Sequence, residues 1–415
     1  MAKTTKFPRI IGINQLADET AMASEEFMFV REAVNVDIDT AGNIGRRKGA
    51  ILRVSAAGFH SFYSTQRGWL MVCRYNEVGI LDPISFAFIP LATMDDAYPV
   101  SYVEANGAIY VMQPNFSCMF LPNRSDAKPI GVPLPSIEPE FSVLSSGAME
   151  AGVYGVAYSI VDPDGEESGL SEITTLTLEA NQGILGNLFT LLAGYKYRIY
   201  TTTANGEILH QALEFDADTI AIQIENPEEG REAETQGLEP LSKGHILRNF
   251  GSRLLVGSTN YVYFSEPFRK HLSRPTNYIG ITGFATMVES VGGGVYIGDR
   301  DGVKYYSGDD PSSWKVENAS LERAFFGTST VLPGNFFSGD LAKADEVAIW
   351  LSPVGYQAGL PGGEVVSLNS TQIRLPIYTE GHTALCEFDG RKQLVTAVNS
   401  NLSERSGAAL DSVTI

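Results

Sequence analysis

Histidine, cysteine and positive charge are all scarce in this chain. Its 415 residues include five histidines, three cysteines and 30 Lys+Arg against 49 Asp+Glu. His60, His210, His245, His271 and His382 are scattered, with no HxH, HExxH or His–Cys pair, so a metal site would have to be assembled wholly by folding. Cys73, Cys118 and Cys386 are odd in number and lack a CxxC, which excludes a disulfide framework and a zinc ribbon and leaves them as fillers of strands. A formal charge of −19 argues against gripping nucleic acid by phosphate neutralisation. It fits plain solubility, and it also fits a wall past which DNA slides without sticking.

Long apolar runs are missing as well. No segment approaches the about 18 apolar residues of a membrane span, and the opening MAKTTKFPRIIGINQL has no apolar core of signal length. These features predict a chain made and kept in a reducing, cytoplasmic compartment. There is no GxSxG and no P-loop, and Gly292-Gly-Gly-Gly precedes a strand pattern where a dinucleotide site would need a helix. No cofactor is called for, and the reading is non-enzymatic. Helical periodicity is nearly absent; only Asp18 to Ala33 has some helical character.

What is abundant is turn chemistry. With 41 Gly and 20 Pro, short apolar runs such as Ile109–Met112, Leu254–Val256 and Val295–Ile297 are broken by Gly, Asn, Asp, Ser and Pro, which predicts an all-β chain. A hairpin unit recurs at Gly68-WLMVCRYNEVGILD, Asn106-GAIYVMQPNFSCMFL, Gly251-SRLLVGSTNYVYFS and Gly292-GGVYIGDRDGVKYYSG. Fainter copies begin at Asp345 and Thr383. The spacing of about 40 residues suits a four-stranded propeller blade, while an ordinary sandwich or barrel with similar hairpins is the alternative.

Between about Ser142 and Glu239 the rhythm changes. Here Gly152-VYGVAYSIVDPDGEESGLSEITTLTL and Tyr195-KYRIYTTTANGEILHQALEF each read as a strand pair, the second turning at Asn205-Gly206. The fold expectation is therefore all-β, with β-propeller-like repeats and an inserted fibronectin type III or immunoglobulin-like sandwich. The division is 1–57 as an N-terminal extended arm and strand, 58–137 as first blades, 138–242 as the sandwich and 243–415 as the remaining blades.

Residues for chemistry are few. Asp162-Pro-Asp164-Gly-Glu-Glu167 could offer oxygens to calcium, but it lacks a twelve-residue loop and also reads as a solvated turn. Asp299, Asp301, Asp309 and Asp310 lie in short acidic turns, with Trp314 after the last; such Asp side chains cap their own turns, and a glycosidase would need two carboxylates facing across a pocket. Candidate interface residues are the cluster Arg46, Arg47 and Lys48, which could reach an acidic neighbour, and Glu266, Pro267, Phe268 and Arg269, where an apolar ring sits beside charges. Each group is equally well a plain loop.

Several segments resemble a family of bacteriophage virion proteins: Ile13-Asn14, then Asn35 to Gly49, then Gly251 to Phe268, with Val156 to Ser171 resembling the fibronectin-like insert of such proteins. The resemblance, to packaged-DNA stabilisation, nozzle and tail-tubular proteins, implies a structural subunit of a tail or neck. It implies copies arranged in a ring around the DNA path, contacts with other tail or neck proteins, and a place in the virion after assembly in the host cytoplasm. The alternative expectation is a glycan-binding or glycan-cleaving propeller acting as a receptor-binding protein, with the acidic turns and Trp314 at its mouth.

Overall fold

The fold is given by a computed structural model that describes residues 8–414 apart from 25, 35, 40, 47–53, 135–136, 228, 374, 376–379, 389–390 and 400–410. Among the described residues the chain is strands and turns, with no α-helix; the only helical pieces are single 3-10 turns. The helical character expected over Asp18 to Ala33 is limited to one such turn, Glu19–Ala21, followed by the strand Phe27–Val30, which pairs in parallel with Arg9–Ile13. The irregular apolar spacing there cannot support one buried helical face, and pairing the backbone with another strand satisfies it instead. No helix among the described residues is long and apolar enough to cross a membrane.

Five four-stranded antiparallel sheets follow one another. The first holds Phe59–Ser64, Leu70–Arg74, Glu77–Leu81 and Phe88–Thr93. The second holds Ser101–Ala105, Ala108–Met112, Ser117–Phe120 and Ala127–Lys128. The third comprises Ile246–Phe250, Arg253–Gly257, Thr259–Phe264 and Tyr278–Phe284, and the fourth Met287–Val291, Gly294–Asp299, Gly302–Ser307 and Lys315–Ser320. The fifth spans Thr330–Pro333 to Val365–Ser367, and a three-stranded sheet of Glu380–Phe388, Arg391–Asn399 and Asp411–Thr414 ends the series.

Two-residue alternation explains why these sheets stack. On the strand Ala108–Met112, every residue is buried because both faces are covered. Ile109 and Val111 pack with Met71, Cys73 and Val78 of the first sheet, while Tyr110 and Met112 pack with Leu247, Leu254 and Val256 of the third. The same division recurs on Gly294–Asp299, where Val295 and Ile297 face the third sheet and Tyr296 faces Trp350 of the fifth. Ile349, Leu351 and Tyr356 then meet Leu394 and Val398 of the last sheet. The sheets form a series, and no closed propeller or barrel is formed among the described residues. Cys73 and Cys118 share the first of these cores, where burial pushes their thiols up to about 11 and about 12.

Between the second and third sheets the chain makes a two-layer sandwich. One layer contains Glu140–Met149, Gln182–Asn187 and Ala221–Ile224; the other contains Thr174–Leu178, Gly152–Val161, Lys196–Thr201 and His210–Asp216, in that spatial order. Val156, Tyr158 and Ile160 from one layer and Ile184, Ile222 and Ile224 from the other close its core. The hairpin expected at Asn205-Gly206 joins Lys196–Thr201 to His210–Asp216, with Asn205 in the left-handed region at φ 56. The excursion leaves and rejoins one seam: the Leu247 N–H donates to Ser101 Oγ at 2.9 Å, tying the third sheet to the second.

A second seam is organised by His245, at the start of the third sheet. Its ring stacks 3.6 Å from Phe284, meets Phe326 edge-on, and donates from Nε2 to the Ala285 carbonyl at 2.8 Å. Burial depresses the His245 pKa below its ordinary value, opposed by that hydrogen bond. The fold therefore prefers the neutral ring. The associated stability is complete above the ordinary histidine value and is lost as pH falls through it toward the folded-state value. The melting temperature should drop between about pH 7 and pH 5, and His245→Gln should flatten that slope in a pH series of thermal melts; an unchanged slope would exonerate this ring.

Candidate functional site

The sandwich meets the sheets across a cleft of about 420 Å3. Its floor and walls come from distant parts of the chain: Asn106 and Tyr110 of the second sheet, the turn Gly165 to Glu167, Arg198, Tyr200 and Gln211 of the sandwich, and Arg231, Glu232 and Glu234 after it. Phe268, Arg269, Lys270 and His271 complete it from the loop after Thr259–Phe264.

The acidic turn is built first by its own backbone. Asp162 Oδ1 accepts from the N–H groups of Asp164 at 2.9 Å and Glu166 at 2.8 Å, a carboxylate mimicking a backbone turn, with Gly165 at φ 87. The remaining carboxylate oxygens converge on Lys128, whose Nζ lies 2.6 Å from Asp162, 3.2 Å from Asp164 and 2.8 Å from Glu166. Arg124 adds a bond to Asp164 at 2.8 Å. Burial alone would lower the Lys128 pKa, but Asp162 and Glu166 overcome it and hold the ammonium above its ordinary value. The turn is thus neither a calcium loop nor a solvated turn: a tethered ammonium from the second sheet stands where a cation would. Among the described residues no group of three or more His, Cys, Asp or Glu side chains is placed to hold a metal ion.

Glu167, next along, faces the sandwich. Its Oε1 accepts from Ser159 Oγ and Tyr200 OH, each at 2.6 Å, and its Oε2 pairs with Arg198 at 2.6 Å. Burial, then Glu167 itself, pushes the Tyr200 phenol up, so it remains a donor. Arg198 also bonds Glu214 at 2.9 Å. His271 Nε2 donates to the Glu167 carbonyl at 2.9 Å, and Arg269 pairs with Glu234. Lys270 differs: it is only 6% exposed, its ammonium donates to Asn249 Oδ1, and it has no ion pair among the described residues. Burial lowers its pKa from the ordinary lysine value.

Of the interface residues proposed from sequence, Phe268 and Arg269 reach the cleft, which Glu166 and Glu167 of the acidic turn also line. Phe268 is 88% exposed and sits at φ 61, a region that costs a bulky residue about 1–2 kcal/mol. Glu266 turns instead toward Asn277, accepting from it at 2.7 Å, and Pro267 belongs to the same turn, bracketed by the Glu266–Arg269 bridge. Arg46 is exposed on the short hairpin strand Ile44–Arg46, away from the cleft lining, while Arg47 and Lys48 lie outside the described residues. Asp299 and Asp310 cap the backbone two residues on, at Asp301 and Ser312. Trp314 donates to the Gly308 carbonyl at 2.7 Å and packs on Phe250 and Tyr306. These groups hold turns. Lys270 and His271 follow Arg269 in the loop that the sequence marks as a docking element, and both line the cleft, whereas Arg198, Tyr200 and Arg231 were not singled out from sequence; the signal for the first was an arginine among the alternating residues of the strand KYRIYT.

No protein-family model matches the chain, and no curated protein matches it. Solved structures do. The extracellular domain of the putative hybrid two component system BT4673 from B. thetaiotaomicron aligns at 10% identity and a TM-score of 0.24, over 90% of this chain and 56% of that one. The extracellular domain of the putative hybrid two component system BT3049 from the same organism aligns at 8% identity and a TM-score of 0.24, over 86% of this chain and 56% of that one. This chain thus spans a little over half the length of each. The expectation of a bacteriophage tail or neck subunit is corrected on this point, because the matched structures are extracellular domains of putative bacterial sensors. Short motifs of Gly, Asn and apolar residues recur wherever hairpins are stacked, which is why they misled. At these TM-scores the matches assign nothing to this chain, and the functional reading rests on the cleft.

The Lys128 junction makes a direct prediction. Lys128→Met leaves three carboxylates facing one another without their shared cation and should lower stability by about 2–4 kcal/mol in urea denaturation. Calcium added to the unmodified protein should leave its melting temperature unchanged, because the ammonium holds the position.

Proposed function

We propose that this chain is a non-catalytic binding module whose ligand site is the cleft between the sandwich and the sheet series, and whose ligand is a small polar molecule. One observation carries the reading. Side chains from the second sheet, the third-sheet loop and the sandwich bring guanidinium, ammonium, imidazole, phenol, amide and carboxylate groups around one concave volume. Their arrangement suits holding a polar solute: Glu167, Tyr200 and His271 are locked by mutual hydrogen bonds and present fixed partners with little left to order on binding. Enzymatic turnover is not part of the proposal.

The finer fold reading supports the same picture. We take the stacked four-stranded sheets as propeller-blade-like units in an open series, and the insert as a fibronectin type III-like sandwich that carries half of the cleft. The support is each sheet's strand order, which follows chain order apart from one skipped two-residue strand, and the sandwich's four-stranded layer, in which Gly152–Val161 lies between Thr174–Leu178 and Lys196–Thr201.

Phe268 gives the test. A ring held in a left-handed backbone at the rim of a cleft is retained against its conformational cost, which is understandable if a ligand packs on it. In thermal-shift titrations of the full chain with a panel of polar solutes, at least one should raise the melting temperature. Phe268→Gly should stabilise the ligand-free protein by up to about 1 kcal/mol and weaken that shift. A variant that loses stability while binding unchanged would count against the cleft as the site.

A further inference from the structure

We infer that the ligand of this cleft carries an anionic group, a carboxylate or a phosphate, that sits against Lys270 and Arg231. The inference rests on the binding reading above and adds the charge of the ligand. It follows from the ion pairs that line the cleft. Glu166 is held by Lys128, Glu167 by Arg198 and Glu234 by Arg269. Lys270 and Arg231 have no ion pair among the described residues, and both line the cavity. Four carboxylates and four cationic side chains line the cleft, so its formal charge balances; Lys270 and Arg231 differ from Arg198 and Arg269 in having no fixed counter-charge, and Glu232 is the lining carboxylate likewise without an ion pair among the described residues.

Lys270 is the stronger half of the argument. Its residue is 6% exposed and its ammonium has one neutral acceptor, Asn249 Oδ1, which leaves at least two N–H donors for something else. A desolvated ammonium beside a neutral amide is destabilising to the protein that carries it, and an incoming anion removes that penalty by supplying charge and acceptors together. Arg231, exposed and lining the same cleft, offers a planar fork of donors that fits the two oxygens of a carboxylate or phosphate. Phe268 at the rim then covers the ligand's less polar part.

The test uses the full chain at constant ionic strength, with inorganic phosphate, succinate and neutral mannitol as probes. Phosphate or succinate should raise the melting temperature in a saturable way, and the comparison between them separates a phosphate site from a carboxylate site. Lys270→Met should raise the melting temperature of the ligand-free protein, because the uncompensated charge is gone, and should weaken anion binding by about tenfold or more in calorimetric titration. Arg231→Gln, on an exposed residue, should weaken it without altering the ligand-free melt. Anion binding that survives both substitutions would overturn the inference. Saturable mannitol binding that is lost in Phe268→Gly, with no response to either anion, would keep the cleft as a site and refute its anionic ligand. No response to any probe would count against both.

Discussion

The architecture depends on a two-residue alternation that buries both faces of a strand. A strand such as Ala108–Met112 has apolar side chains on each side, so its sheet must be covered twice, and each cover is itself a sheet with the same need. The consequence is a series in which each inner sheet packs against a neighbour on both faces. Large rings sit at the seams, Tyr296 against Trp350 and His245 against Phe326, where their area contributes most to contact. A substitution at one seam is felt by two sheets, and seams further along are insulated by the sheets between.

The sandwich is attached to this series by polar contacts. Lys128 reaches from the edge strand of the second sheet into three carboxylates of the turn Asp162 to Glu166, and His271 reaches from the third-sheet loop to the Glu167 carbonyl. Directional bonds of this kind fix the angle at which the sandwich stands, which an apolar seam would leave to shape alone. They also line the cleft, so the groups that position the two bodies are those that a ligand would meet. A polar junction is more easily altered by a bound molecule than an apolar one.

Much of the local structure was legible. The Asn-Gly turns at Asn106 and Asn205 adopt the left-handed conformations that such residues permit, whereas the first hairpin turns at Tyr75-Asn76, one residue before the expected Asn76-Glu77, with Tyr75 in that region; the quoted segments around all three form antiparallel hairpins. The acidic turns at Asp299 and Asp310 cap themselves, as short Asp turns do. The reading failed where similar local signals serve several architectures: hairpins at blade-like spacing do not reveal whether a ring closes, and short motifs do not identify an assembly. The helix expected near residue 18 failed because a few apolar residues at mixed spacing are equally satisfied by strand pairing.

From the amino-acid order alone came the strands, most of the turns, the burial of Cys73 and Cys118 though not of the half-exposed Cys386, and the all-β class, because alternation and turn chemistry act within a few residues. Only the tertiary structure decided that Lys128 neutralises a turn more than thirty residues away, that Lys270 is buried with no ion pair among the described residues, and that Tyr110, Arg198 and Phe268 share one cleft. Charge compensation and concavity depend on where the chain returns in space. That return is set by packing between sheets far apart in sequence, and no short window of sequence encodes it.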